Sequence, residues 1–289
     1  MATQSRKKKE KAPEPEEKEE RLSNESLNPS EKVEARKRTA LRAHVVHAAI
    51  LSEGEEELRR PSASLAYSGF AAGLSMGFSL VAEGLLKSHL PDAEWTPLLT
   101  KLGYSVGFLI VILGRQQLFT EKTLTAILPL LEERKLNTLT GVARLWAIVL
   151  FANLLGAMIF AVVLSRTELF DPDVNTAFVE IARAALSLRP STAFLSAIFA
   201  GWLIALMVWL LPYADTARVG VIVIITYLVG LGGFNHIIAG SVSVMYLLAS
   251  GAISWSEYLL NYAGPTLAGN IVGGVALVAV LGHAQVRQE

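Results

Sequence analysis

The stretch Gly232-Gly233-Phe234-Asn235-His236-Ile237-Ile238-Ala239-Gly240-Ser241 interrupts an otherwise apolar segment running from Val219 to Ala249. Three glycines, an amide and an imidazole at lipid depth would strand backbone N–H and C=O groups facing hydrocarbon. Such backbone is tolerated only where it is buried in protein or lines a polar cavity. An ionisable side chain there marks a functional site by default. The pattern predicts a conduit through a membrane, with His236 on the path.

The polar residues are segregated. Residues 1–63 hold 14 of the 26 Lys+Arg and 13 of the 26 Asp+Glu, so the formal net charge of zero says little about partners. Residues 1–29 are rich in Lys, Glu and Pro and predict a disordered, charged cytoplasmic tail. Its run Arg6-Lys7-Lys8-Lys9 reads as solvated, with no nucleic acid expected as partner. Residues 30–60 have the spacing of an amphipathic cytoplasmic helix, on which His44 and His47 read as solvated surface. Met1 to Glu20 contain no apolar core of a cleavable signal peptide. With no cysteine there is no disulfide or thiolate site. No nucleophile–base pair, phosphate-binding glycine loop or metal-ligand cluster is evident, so neither an enzyme nor a cofactor is expected.

Residues 61–289 predict an all-α membrane domain of six spans, each near the ~20 residues that cross a bilayer. They are 64–86, 98–131, 141–165, 191–211, 218–249 and 261–283. Two of them are broken, one at Gly114-Arg115-Gln116-Gln117-Leu118-Phe119-Thr120 and the other at the His236 stretch. Paired broken helices point to a transport site. A shift of 117 residues lays Asn153 on Asn270, Gly156 on Gly273 and Phe119 on His236, which predicts an inverted repeat of three spans. Helical restarts are expected at Glu121–Leu131 and Val242–Ala249, with Thr120 and Ser241 as N-caps. Glycines at 69, 73 and 77 predict close helix packing. Asn153 and Asn270 are expected to satisfy backbone freed by the breaks, and Glu83 to lie at the interface. Lys and Arg concentrate in the tail and in the loops holding Arg134, Lys135, Arg144, Arg218 and Arg287, which predicts both termini cytoplasmic.

Gln117-Leu118-Phe119-Thr120, then Ala152-Asn153-Leu154-Leu155-Gly156, then Gly233-Phe234-Asn235-His236 occur in an order and spacing that resembles the formate/nitrite transporter family over residues 64–283. The resemblance implies six-span, aquaporin-like protomers assembled as a homopentamer in a bacterial-type inner membrane. It also implies small monovalent weak-acid anions as substrates. By that resemblance His236 matches the central pore histidine. Leu118, Phe119 and Thr120 match a cytoplasmic loop and constriction, and Tyr104, Phe108 and Val229 the apolar ring on the other side. The chain departs from the family pattern in carrying Asn235 where Glu is common and Gln117 where an acid is frequent. Gly201 replaces an expected pore Asn, Ala239-Gly240-Ser241 replaces Ala-Asn-Met, and Arg115 replaces a small or apolar residue.

A bare anion at the bilayer centre costs from a few to more than about ten kcal/mol. Positive potential from two restarted helix N-termini, with Arg115 if it reaches the pore, would lower that cost. Arg115 could equally pair with Glu121 or Glu132. His236 is expected to serve as proton donor to the anion or as a fixed electrostatic anchor, assisted by Thr120. Two rival readings are a neutral small-solute channel on the same fold and a non-conducting membrane anchor whose tail recruits a partner.

Overall fold

The structure, a computed structural model, describes residue 30 and residues 43–280. The expectations for the charged tail, for 31–42 and for Arg287 lie outside the described residues. Among the described residues the chain is all helix. In order these are α1 (Ala43–Arg59), α2 (Ser62–His89), α3 (Thr96–Thr100), α4 (Ser105–Leu113), α5 (Phe119–Thr125), α6 (Ile127–Glu133) and α7 (Leu136–Arg166). There follow α8 (Pro172–Leu186), α9 (Pro190–Ala214), α10 (Arg218–Leu231), α11 (Ile237–Ala249), α12 (Trp255–Glu257) and α13 (Gly264–Val272). Two π-helical stretches, Tyr258–Ala263 and Gly273–Val280, flank α13. Four stretches are long and apolar enough to cross a membrane: Ser62–His89, Thr96–Leu113, Leu136–Arg166 and Pro190–Leu231, with Ile237–Ala249 a shorter apolar helix.

Both predicted breaks are present and built alike. α4 and α10 end in left-handed residues, Arg115 at φ +50° and Gly233 at φ +62°. The N–H of Gln116 reaches back to Val111 O at 2.9 Å and that of Phe234 to Val229 O at 3.0 Å, the six-residue closure that ends many helices. A short extended run follows each, and the chain resumes helix at Phe119 and at Ile237. The restarts therefore begin earlier than expected. Their N-caps are Leu118 and His236, not Thr120 and Ser241.

Asn153 on α7 donates to Gly69 O at 2.7 Å and Gln117 O at 2.8 Å, and its Oδ1 accepts from the Phe119 N–H at 2.9 Å. Asn270 on α13 repeats this, donating to Ala197 O at 2.8 Å and Asn235 O at 2.9 Å and accepting from Ile237 N–H at 2.8 Å. One buried amide thus joins each break to a neighbouring long helix and satisfies groups that water cannot reach.

The helices close on those amides where side chains are absent. A Cβ on Gly73 would lie 2.1 Å from Asn153 O, and one on Gly201 2.3 Å from Asn270 O. Gly156 packs in the same way on Phe70 O and Leu74 N as Gly273 does on Ile198 O and Trp202 N. These contacts register the repeat differently for each element. α2 maps on α9 by 128 residues, the break by 118, and α7 on α13 by 117. At the break it is therefore Leu118, not Phe119, that corresponds to His236.

α1 belongs to the same compact unit as the apolar helices. Val46 and Ile50 are fully buried, and His47, expected at the surface, is buried with its ring 6.4 Å from that of Trp209. A Cβ on Gly54 would meet Thr125 O at 2.1 Å, so α1 lies directly on α5 and α6. Arg144 of α7 donates to Leu58 O and Arg60 O at 2.8 and 3.2 Å, covering carbonyls at the end of α1. On the opposite face α8 packs through Phe178, ringed by Phe170 and Tyr246.

Replacing Asn153 or Asn270 by Ala orphans one buried N–H and two carbonyls. Each change is expected to cost more than about 3 kcal/mol, read as a lowered unfolding temperature of the detergent-solubilised protein. Asn→Asp, which accepts but cannot donate, is expected to rescue little.

Candidate functional site

His236 stands at the junction of the second break and α11, almost fully buried. Its ring is held at both nitrogens. Nδ1 accepts from the Ile238 and Ala239 N–H groups at 3.3 and 3.2 Å, so the side chain itself caps α11. Nε2 lies 2.7 Å from Thr120 Oγ1 of the other half-helix. A nitrogen that accepts two backbone N–H groups carries no proton, which assigns the proton to Nε2 and makes Thr120 the acceptor. The ring is therefore neutral in this arrangement and bridges the two breaks. Its carbonyl accepts from the Tyr262 hydroxyl at 2.9 Å, and Gly240 leaves room for that hydroxyl.

The Phe108 ring meets the imidazole edge-on with centroids 5.0 Å apart, and Tyr104 packs on Phe108 at 5.4 Å. A cavity of about 110 Å³ opens on the α8 side of the ring, lined by His236, Asn235, Val229, Tyr104, Glu83 and Lys101 among others. Glu83, expected at the interface, is buried and ion-paired with Lys101 on this wall. Its position in the sequence near a span end gave no sign of this.

A second cavity of about 610 Å³ opens on the α1 side. Its walls carry Glu53, Glu56 and Glu57 of α1, Gln116 and Gln117 of the break, Glu121 and Lys122 of α5, and the cations Arg60, Arg115 and Arg218. Glu57 accepts from Gln117 Nε2 at 2.8 Å, Arg60 Nη1 at 3.2 Å and Lys122 Nζ at 3.4 Å, while Lys122 also lies 3.7 Å from Glu53. Arg115 faces this cavity, exposed, and forms no ion pair with Glu121 or Glu132 among the described residues.

Between the cavities the wall is dry. Phe108, Leu118, Phe119 and Thr120 are all at most 1% exposed. On α10 the larger cavity touches Ile222 and the smaller Val229. Seven residues at 1.5 Å rise make the barrier about 10 Å thick. The structure thus brings together His236, Thr120, Phe108, Tyr104, Val229 and Asn235. Leu118 is buried as the N-cap of α5, and Phe119 turns its ring to Trp146 at 5.8 Å. Gly201 lines neither of these two cavities. It is the close-approach point for the Asn270 backbone, where any larger residue would collide.

Residues 44–284 match the family described as formate/nitrite transporter. The chain is 43% identical over 248 residues to the inner membrane protein YfdC of Escherichia coli K12, covering 86% of this chain and 80% of that one. It is 27% identical over 235 residues to a probable formate transporter of Methanothermobacter thermautotrophicus, covering 73% and 85%. Among solved structures it resembles a pentameric formate channel with formate bound, with a TM-score of 0.67 and 21% identity. That likeness covers 79% of this chain and 98% of that one.

The two left-handed residues make a paired prediction. Gly233→Ala meets no neighbour within 4 Å, so its cost is the φ strain alone, about 1 kcal/mol or slightly more. Arg115→Gly at the equivalent position relieves such strain and is expected to be near neutral in stability. Thermal unfolding of both variants checks this.

Proposed function

The chain belongs to the formate/nitrite transporter family, and from that premise we propose that it is a channel for small monovalent weak-acid anions of the formate and nitrite kind. In this reading two interrupted and four continuous segments make six crossings, and five protomers assemble with one pore in each. The α1 face, with both termini, is cytoplasmic in an inner membrane. The observation that carries the reading is the neutral imidazole set at the edge of the smaller cavity and joined to Thr120 within the dry layer.

An anion reaching the smaller cavity meets the N-terminal end of α11, where about half a unit of positive charge resides. His236 stands in that field and passes its donor capacity on. Because Nε2–H donates to Thr120 Oγ1, the threonine's own hydroxyl proton is left free for an oxygen of the solute as it enters the dry layer. The pair offers a charge-directed hydrogen bond without carrying net charge, which suits an anchor that must also release its ligand. Of the two roles expected for His236, this geometry supports the anchor. An imidazolium would lose both Nδ1 acceptor bonds and set a cation against a helix N-terminus. The remaining barrier of about 10 Å is crossed far more cheaply by the neutral acid than by its anion.

The test is formate and nitrite flux into liposomes holding the purified full-length protein. His236→Ala and His236→Phe are expected to lower flux about 10- to 100-fold, the worth of one hydrogen bond to a charged group. His236→Asn is expected to lower flux yet keep the shape of the pH profile, since the ring is not the titrating group. Unchanged flux in the Ala and Phe variants sinks the reading, and a flattened profile in the Asn variant restores His236 as proton source.

A further inference from the structure

If weak acids cross the dry layer in neutral form, each anion must gain a proton at one cavity and lose it at the other. His236 is badly placed to supply it, since one ring nitrogen is occupied as a helix cap and the other already holds its proton toward Thr120. Some other group beside the path must carry protons.

Among the described residues the larger cavity has four carboxylates, and three of them are accounted for. Glu57 is bound by Gln117, Arg60 and Lys122, Glu53 pairs with Lys122, and Glu56 is exposed to solvent. Glu121 differs from all three. Only 8% of it is exposed, it lines the cavity, and no hydrogen bond or ion pair reaches its carboxyl group among the described residues. Among the described residues the charged groups facing the same cavity are Glu53, Glu56, Glu57 and Arg60 from α1 and its end, Arg115 from the break, Lys122 from α5 and Arg218 from α10. Its neighbour Lys122 is already taken by α1.

A second, independent observation lies on the same wall. The amide oxygens Gln116 Oε1 and Gln117 Oε1 are buried and have no hydrogen-bond partner. Buried acceptors without donors are rare and call for a donor-bearing ligand. No group of three or more His, Cys, Asp or Glu residues able to hold a metal ion occurs among the described residues.

We propose that Glu121, with Gln116 and Gln117 beside it, is a proton-binding site that exchanges a proton with the permeating weak acid at the α1-side cavity. This deepens the channel reading above and rests on it. In one direction the protonated carboxyl transfers its proton to an arriving anion. The products are the neutral acid, which enters the dry layer, and a Glu121 carboxylate, which is reprotonated from water in the cavity. In the other direction the neutral acid leaves its proton on the Glu121 carboxylate and departs as the anion. Arg115 and Arg218, which form no ion pair among the described residues, provide the cationic rim that draws the anion in.

Two measurements on the full-length protein in lipid test this. The first is formate-driven proton uptake into liposomes, followed with an internal pH dye across a range of external pH. Glu121→Gln is expected to slow it about 100-fold, as loss of a positioned proton-transfer group does, and to flatten its pH dependence, while Glu121→Asp retains the dependence. The second is an infrared pH titration without substrate, in which one carboxylic C=O band that appears on acidification is expected to be absent from Glu121→Gln. A Glu121→Gln variant that matches the unaltered protein in both measurements overturns the proposal. If the unaltered protein moves neither formate nor nitrite, the channel reading fails. The infrared titration then decides by itself whether Glu121 takes the proton, and persistence of the band in Glu121→Gln overturns that assignment.

Discussion

Each helix break exposes backbone donors and acceptors where water is scarce, and a single asparagine side chain answers for them in each half. Asn153 and Asn270 each bind two carbonyls and one N–H, and in each case one carbonyl belongs to a neighbouring continuous helix. That arrangement demands close approach, which is why Gly73 and Gly201 lie where a Cβ would strike the asparagine backbone. Everything at the site follows from it. Only when the breaks are pinned to α7 and α13 can Leu118 and His236 start their half-helices at positions that let Thr120 and the imidazole meet.

The two halves share this frame and differ in what they hang on it, and the differences are where the chemistry lies. At the N-cap of the half-helix one half has Leu118 and the other His236, so only α11 receives a side-chain cap. At the left-handed position one half accepts the strain of Arg115 and the other uses Gly233. At the third residue of the half-helix one has Glu121 and the other Ala239. In the proposed reading this turns a symmetric scaffold into a polarised path, with a neutral donor pair at its middle and a carboxyl group toward one mouth.

Much of the frame was legible in the sequence, because backbone satisfaction in lipid is a local demand that leaves local marks. The glycine, amide and imidazole run at 232–241 and the repeated Asn-x-x-Gly at 153–156 and 270–273 announced the breaks and their clamps. The exact register was not legible. Loops of unequal length separate the elements, so no single shift aligns them, and the 117-residue match put Phe119 where the structure has Leu118. N-cap preference pointed to Thr120 and Ser241, but a histidine ring took the capping role at one break and no side chain took it at the other. Contacts between distant segments left no trace at all. His47 beneath Trp209, Glu83 with Lys101, and Glu57 bound to Gln117 each depend on packing partners many residues away.

In the proposed channel reading the last of these contacts bears on throughput. Among the described residues the α1-side cavity carries four carboxylates and four cations, and α1 with the residue that follows it supplies three of the former and one of the latter. Were α1 displaced, Arg115, Lys122 and Arg218 would face the cavity against Glu121 alone, a cationic pocket that would hold anions tightly and release them slowly. With α1 seated, Glu57 and Glu53 neutralise Lys122, leaving guanidinium groups at the rim and an unpaired carboxyl within. Conduction requires binding strong enough to admit the ion and weak enough to let it go. In the proposed channel reading the unpaired guanidinium groups admit an anion at the rim, and the neutral imidazole beyond holds it by no full countercharge, so that it can be released.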